Sequence, residues 1–354
     1  MLLAALALAA TGAPAASPVA CAPEPPLAYV CGAPKPEDLR PILGTPWLVA
    51  SGFALGEGLK LVDTRTRTPL RWFTGAPGQV AWDRAAFPTC PGPVDPALFD
   101  ARGLGLRDLG GGRWRLLAVN HGGRESIEAF DIDARGTGAP QLTWRGCLPM
   151  PPGQVGNAVA SFADGTVLVT VLNRPGTTIA DFVEGRDTGA VWQWRPGEPA
   201  LTELAGTQLP GNNGLEIDPD QRRFYVIAFG RHAVVGYDRA DTRRPLFEIA
   251  TADFMPDNIH WSGTRLLLAG MRLDEPACGG LRQVRDHVAD PMQCHRGWVV
   301  GELRLAEKRI ATVAYGRPAA HWNGLSAAAL VGDELWLGSY QADRLAVIAL
   351  PRGD

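Results

Sequence analysis

A chain of 354 residues with 46% hydrophobic and 20% charged positions has the apolar material for a packed core and too little charge to stay disordered. Its net charge of −3, with no cluster of Lys or Arg, excludes the phosphate-neutralising surface that nucleic-acid binding requires. The 42 Gly and 30 Pro are scattered between short apolar runs, which is the pattern of many short strands joined by tight turns.

Residues 1–20 open on a Leu/Ala run and continue through small residues that include Ala13-Pro14-Ala15. Such a run reads as an export signal and is too short to span a bilayer, so a periplasmic or extracellular protein is expected, with no integral membrane segment. Cys21 offers an alternative lipid anchor, but Pro18 stands where an acylation motif carries Leu. Six cysteines, at 21, 31, 90, 147, 278 and 294, fit disulfides in an oxidising compartment, and none has the C-x-x-C spacing of zinc or thioredoxin chemistry. A local pairing of Cys278 with Cys294 is expected, which would close an insertion over residues 274–296.

A repeat then runs along the chain. Asn157-Ala-Val leads to a turn at Asp164-Gly165 and the strand Val167-Leu168-Val169-Thr170, and Asn213-Gly-Leu leads to Pro219-Asp220 and Phe224-Tyr225-Val226-Ile227. Asn258-Ile-His and Asn323-Gly-Leu open two further copies. Two degenerate copies precede them, at Glu37-Asp38-Leu39 and Arg102-Gly103-Leu104. The starts near 38, 102, 157, 213, 258 and 323 lie roughly 45 to 65 residues apart, the size of a four-stranded propeller blade. The expected fold is all-β, a six-bladed β-propeller forming a single domain over residues 30–354, because a propeller must close on itself to remove its edges. A sandwich or barrel with accidental spacing is the alternative.

The innermost strand of each blade borders the central channel, so the residues that open the repeats should converge there. They are Glu37, Asp38, Asn157, Asn213, Asp257 and Asn258, all oxygen donors. Calcium takes oxygen ligands, whereas zinc or copper would call for His or Cys, so Ca2+ is the expected occupant. Taken singly, each Asx also serves as a turn-capping residue; the recurrence favours the metal.

At this point the sequence resembles the calcium-dependent lactonases and esterases of the paraoxonase and gluconolactonase kind, six-bladed propellers with calcium in the channel. The resemblance rests on Glu37-Asp38-Leu39 followed by Leu48-Val49-Ala50-Ser51-Gly52, and on Val119-Asn120-His121 followed by Ile127-Glu128-Ala129-Phe130. It continues through Asn157, Asn213-Gly214 with Asp218-Pro219-Asp220, and Asp257-Asn258. It implies Glu37, Asn157, Asn213, Asp257 and Asn258 as ligands of a catalytic calcium, Asp38 as the remnant of a second metal site, and a small lactone or ester as substrate.

Departures from that pattern fall on proton transfer. His121 matches the second histidine of the paraoxonase pair, but Arg102 replaces the first, and Ala158 stands where an acidic ligand of the second calcium is expected. Arg102 cannot deprotonate water, since its pKa exceeds about 12, and is expected to contact substrate or oxyanion. Asp257 is then the expected base, matching the gluconolactonase branch. Of the other histidines, only His260 and His321 lie near channel positions. The alternatives are a non-catalytic, calcium-stabilised propeller that binds a ligand and a strictosidine-synthase-like enzyme, and a monomer is expected.

Overall fold

The computed structural model of the chain describes residues 21–350; the expected export segment lies outside them. Six four-stranded antiparallel sheets account for nearly all of its regular structure, as the repeat implies. Blade 1 comprises Leu39–Ile42, Trp47–Ser51, Leu59–Asp63 and Thr68–Arg71, and blade 2 comprises Ala101–Gly110, Arg113–Asn120, Ser126–Asp133 and Gln141–Pro149. The innermost strands of blades 3, 4 and 5 are Gly156–Ser161, Asn212–Ile217 and Phe254–Ser262. Blade 6 is built from both ends of the chain: Leu325–Val331, Glu334–Ser339 and Arg344–Ala349 are completed by Ala28–Cys31, which pairs Ala28 with Val347 and Cys31 with Arg344.

Composition follows radius. The inner strand Asn212–Ile217 and the second strand Val167–Val171 are buried throughout, because blades pack face to face and cover both sides of each sheet. The outermost strands Thr68–Arg71 and Phe247–Ala250 carry exposed positions. The apolar clusters therefore lie between blades and not at one centre. Leu39, Leu48 and Val62 of blade 1 meet Val30, Trp336 and Leu345 of blade 6. Tyr225 and Ile227 of blade 4 meet Ile259 and Leu268 of blade 5. Each such side chain contributes about 1.5–3 kcal/mol through burial, so every blade is stabilised by its neighbours.

Three disulfides join Cys21 to Cys31, Cys90 to Cys147 and Cys278 to Cys294. The last is the expected local pair. The first occupies the thiol that a lipid anchor would use, so that alternative loses its attachment atom. Three disulfides are the mark of an oxidising, exported location. No helix among the described residues is long and apolar enough to cross a membrane. One short helix, Ile179–Val183, was not expected; Thr178 and Asp181 form its capping box.

Candidate metal centre in the channel

Five of the six inner strands shift register close to the channel end, between Ala101 and Leu104, Gly156 and Val159, Asn212 and Leu215, Pro256 and Ile259, and Leu325 and Ala327. A β-bulge re-aims the side chains it contains. Asn157, Asn213, Asp257 and Asn258 all lie inside these irregular segments, which is how strands that otherwise bury apolar side chains turn oxygen donors towards the axis. Blade 1 has no such shift, and Glu37 instead lies just ahead of its first strand.

Close backbone approach sets the spacing. A Cβ on Gly103 would lie 2.3 Å from the Asn157 carbonyl oxygen, and one on Gly214 would lie 2.6 Å from that of Asp257. Neighbouring inner strands therefore come nearer than any other residue permits. Hydroxyls then pin the bulges. Thr170 Oγ1 accepts from Ala158 N at 2.9 Å and donates to Asn213 O at 2.7 Å, and Ser326 Oγ donates to Glu37 O at 2.6 Å.

Glu37, Asn157, Asn213 and Asp257 line a single cavity of about 360 Å3 at this end of the channel. Asn258 joins them from below, donating through Nδ2 to Glu37 Oε1 at 3.1 Å. Four buried oxygens are left with no hydrogen-bond donor: Glu37 Oε2, Asn157 Oδ1, Asn213 Oδ1 and Asn258 Oδ1. Buried polar atoms are nearly always paired, and orphaned oxygens on neighbouring residues, with a carboxylate among them, are the donor set of a hard cation. Among the described residues no group of three or more His, Cys, Asp and Glu is gathered for a metal, and the arrangement suits calcium because three of its five oxygen-bearing side chains are neutral amides. Burial pushes the Asp257 carboxyl up to about 7, with Asn213 opposing and Asp38 reinforcing the shift. Burial, then the charges of Asp38 and Asp257, raise Glu37 well above the usual carboxylate range. Both carboxyls are held against ionisation by burial and by the neighbouring charge of Asp38.

Asp38 faces away from this cavity, and protein groups take up its oxygens. Oδ1 accepts from Leu39 N at 2.7 Å and faces His260 Nε2 at 2.7 Å, and Oδ2 accepts from Leu104 N at 2.6 Å. His260 Nδ1 meets Glu216 Oε2 at 3.1 Å, and Arg40 Nη1 lies against His260 Nδ1 and donates to Glu216 Oε2 at 2.7 Å. This buried tetrad from blades 1, 4 and 5 is neutral when His260 is protonated. Burial and Arg40 press the imidazole pKa down, and Asp38 and Glu216 press it up by more, so it ends raised. Burial works against the Glu216 carboxylate too, but Arg40 and His260 hold it at about 2. Imidazole and guanidinium thus fill the stretch of channel where the sequence placed a second metal. Arg40 and Glu216 were missed because each sits in a strand that otherwise reads as apolar. A second cavity, of about 420 Å3, opens beyond the tetrad, walled by Arg40, Glu216, Trp114 and Trp261; none of the expected ligands reaches it.

The two remaining expected site residues stand beside the cavity. Arg102 gives both arms of its fork to Asp100, each at 3.0 Å, and stacks over the Phe53 ring with its guanidinium carbon 3.1 Å from the centroid. Phe53 lines the cavity, so Arg102 supports its wall. His121 Nδ1 pairs with Glu125 Oε2 at 2.6 Å, and the ring is not part of the lining. His321 holds Glu24 through its backbone N–H, far from the ligands in role. The wall that sequence reasoning did not foresee is apolar, from Leu172, Ile179, Phe182, Phe229 and Met271, with Tyr340 and Arg282 as polar members.

No family model and no curated protein matches the sequence. Solved structures do match in fold. A gluconolactonase from Xanthomonas campestris superimposes with a TM-score of 0.54 at 14% identity, over 92% of this chain and 89% of its own. A luciferin-regenerating enzyme gives 0.52 at 13% identity, over 91% and 92%. The calcium-binding protein regucalcin from Agrobacterium tumefaciens gives 0.50 at 10% identity, over 91% and 93%. The chain has the six-bladed propeller fold seen in proteins of the gluconolactonase and regucalcin kind.

Proposed function

We propose that this chain is an exported, calcium-dependent hydrolase of lactones or related esters, held as a monomer in the periplasm or outside the cell after loss of residues 1–20. The observation that carries the reading is the set of four donorless buried oxygens on Glu37, Asn157, Asn213 and Asn258, around a cavity that also contains Asp257. These five residues would hold the ion. When bound, calcium supplies Lewis-acid polarisation of the substrate carbonyl and stabilises the negative charge that develops on its oxygen.

The protein's own groups do the rest. The apolar wall excludes water and packs the body of the substrate, with Phe53 braced by Arg102. Asp257 is the group that takes the proton from the attacking water as its oxygen bonds to the acyl carbon. The ring C–O bond then breaks, the proton passes to the leaving alkoxide, and a hydroxy acid results.

A second reading keeps calcium but omits hydrolysis. It is favoured by the pairing of His121 with Glu125, which leaves no imidazole in the cavity lining. Metal analysis of the purified protein, coupled to a screen of lactones and aryl esters with and without chelator, separates the two. Hydrolysis predicts one calcium per chain and turnover abolished by chelation. Calcium-dependent thermal stability without turnover on any lactone or ester would establish the second reading.

A further inference from the structure

The insertion between strands Arg265–Arg272 and Trp298–Arg304 is a long departure from the blade pattern. It is fixed in place by Cys278–Cys294 and by the buried Arg296, whose Nη1 donates to Leu273 O at 2.9 Å and Gly280 O at 3.0 Å. Gln341 of blade 6 anchors Met292 from the opposite side, through Nε2 to its carbonyl at 3.2 Å. The insertion is therefore a built roof over the channel mouth, and it brings Arg282 into the cavity wall.

Arg282 has an unusual situation. Its Nε donates to Asp290 O at 2.9 Å, while its two terminal nitrogens have no hydrogen bond or ion pair among the described residues. The Asp290 carboxylate faces Arg296 instead, at 3.9 Å. Arg282 and Phe229 are shared between the metal-site cavity and an adjoining one of about 350 Å3, whose wall includes Met255 and Leu273. The cation acting on Glu37 is Arg102, and Asp257 is shifted by burial, Asn213 and Asp38. Burial depresses the Arg282 pKa, Tyr340 and Asp290 oppose that shift, and the charge of Arg296 adds to it. A half-buried guanidinium with an open fork in an apolar wall is placed to pair with an anion that enters the cavity.

We propose that Arg282 is the anion-recognition residue of this cavity, and that the substrate carries a carboxylate at the end remote from its reacting carbonyl, with an apolar body between. The open fork of two terminal nitrogens matches a carboxylate bidentately. This identification of the substrate class rests on the lactone or ester reading above.

The test has a binding arm and a kinetic arm, on calcium-loaded full-length protein with the variants Arg282→Gln and Arg282→Lys. In calorimetry, heptanoate should bind the unaltered protein at least about tenfold more tightly than heptanamide, the scale of one charge-assisted pair. Arg282→Gln should erase that preference and Arg282→Lys should retain part of it. In kinetics, the ratio of kcat/KM for dihydrocoumarin-6-carboxylate to that for dihydrocoumarin should fall at least about tenfold in Arg282→Gln, mainly through KM. Heptanoate preference that survives Arg282→Gln would place the anion on the metal and overturn the proposal. Turnover with no preference for the carboxylated lactone would overturn it too, leaving the hydrolase reading standing. Arg282-dependent heptanoate binding with no turnover of either lactone would sustain the anion subsite and defeat the hydrolase reading.

Discussion

Replacing Asp257 by Asn in the metal-stripped protein should stabilise it at neutral pH, which is the reverse of the usual effect of altering a buried polar residue. The Asp257 carboxyl titrates at about 7 in the folded chain, against about 3.9 unfolded. Between those values the folded state holds the extra proton, so stability is retained below pH 4 and lost as pH rises through 7. At pH 8 the ionisation penalty approaches about 4 kcal/mol, at about 1.36 kcal/mol per unit; at pH 4 it shrinks to about 0.5 kcal/mol. Asn has the same shape and no charge to suppress. Urea denaturation in the presence of chelator at pH 4, 6 and 8 should show Asp257→Asn gaining on the parent as pH rises, and the parent alone recovering stability when calcium is added. A variant equal to or weaker than the parent at pH 8 without metal would refute the electrostatic account of the channel.

Three further outcomes follow from the packing. His260→Ala leaves Asp38 and Glu216 facing each other's charge in a buried channel, and should cost about 3–5 kcal/mol in urea denaturation; a loss below about 1 kcal/mol would mean that Arg40 alone holds the tetrad. Gly214→Ala and Gly105→Ala both drive a Cβ to 2.6 Å from a neighbouring backbone oxygen, so each should lose at least about 1–3 kcal/mol. Only Gly214→Ala presses on Asp257, so only it should also weaken calcium binding in calorimetry. Replacing Cys278 and Cys294 by Ser should speed tryptic cleavage at Arg282 and Arg285 while shifting the melting of the blades little, because the crosslink closes a loop of separation 16 outside the sheets.

The channel oxygens were legible because they recur: an Asn or Asp opens a repeat, and the repeat period declares the blade. What the sequence withholds is how such a position meets its counterparts on other blades. The Arg40, Glu216 and His260 contacts join residues on three blades, and nothing local distinguishes these charges from surface ones. The Cys90–Cys147 pair, 57 residues apart, was undecided because nothing local links its two halves. The helix Ile179–Val183 did carry a signal, Thr178 followed three residues on by Asp181, but it is too short to show a helical apolar period. Arg282 was hidden because an insertion has no repeat to be compared with, and only the folded position shows which arginine enters the cavity wall.

The shared construction of blade 6 bears on how the protein must be made. Ala28–Cys31 is among the first of the described segments to leave a ribosome or a translocation pore, and its pairing partner, Arg344–Ala349, is among the last. Until that partner arrives, the early strand waits with an open edge, and the five completed blades form an arc whose two end faces are bare. Closing the arc is a long-range event and sets a slow, late step in folding. The channel oxygens converge only when the arc is shut, so an ion bound to all of them, as proposed above, would report ring closure.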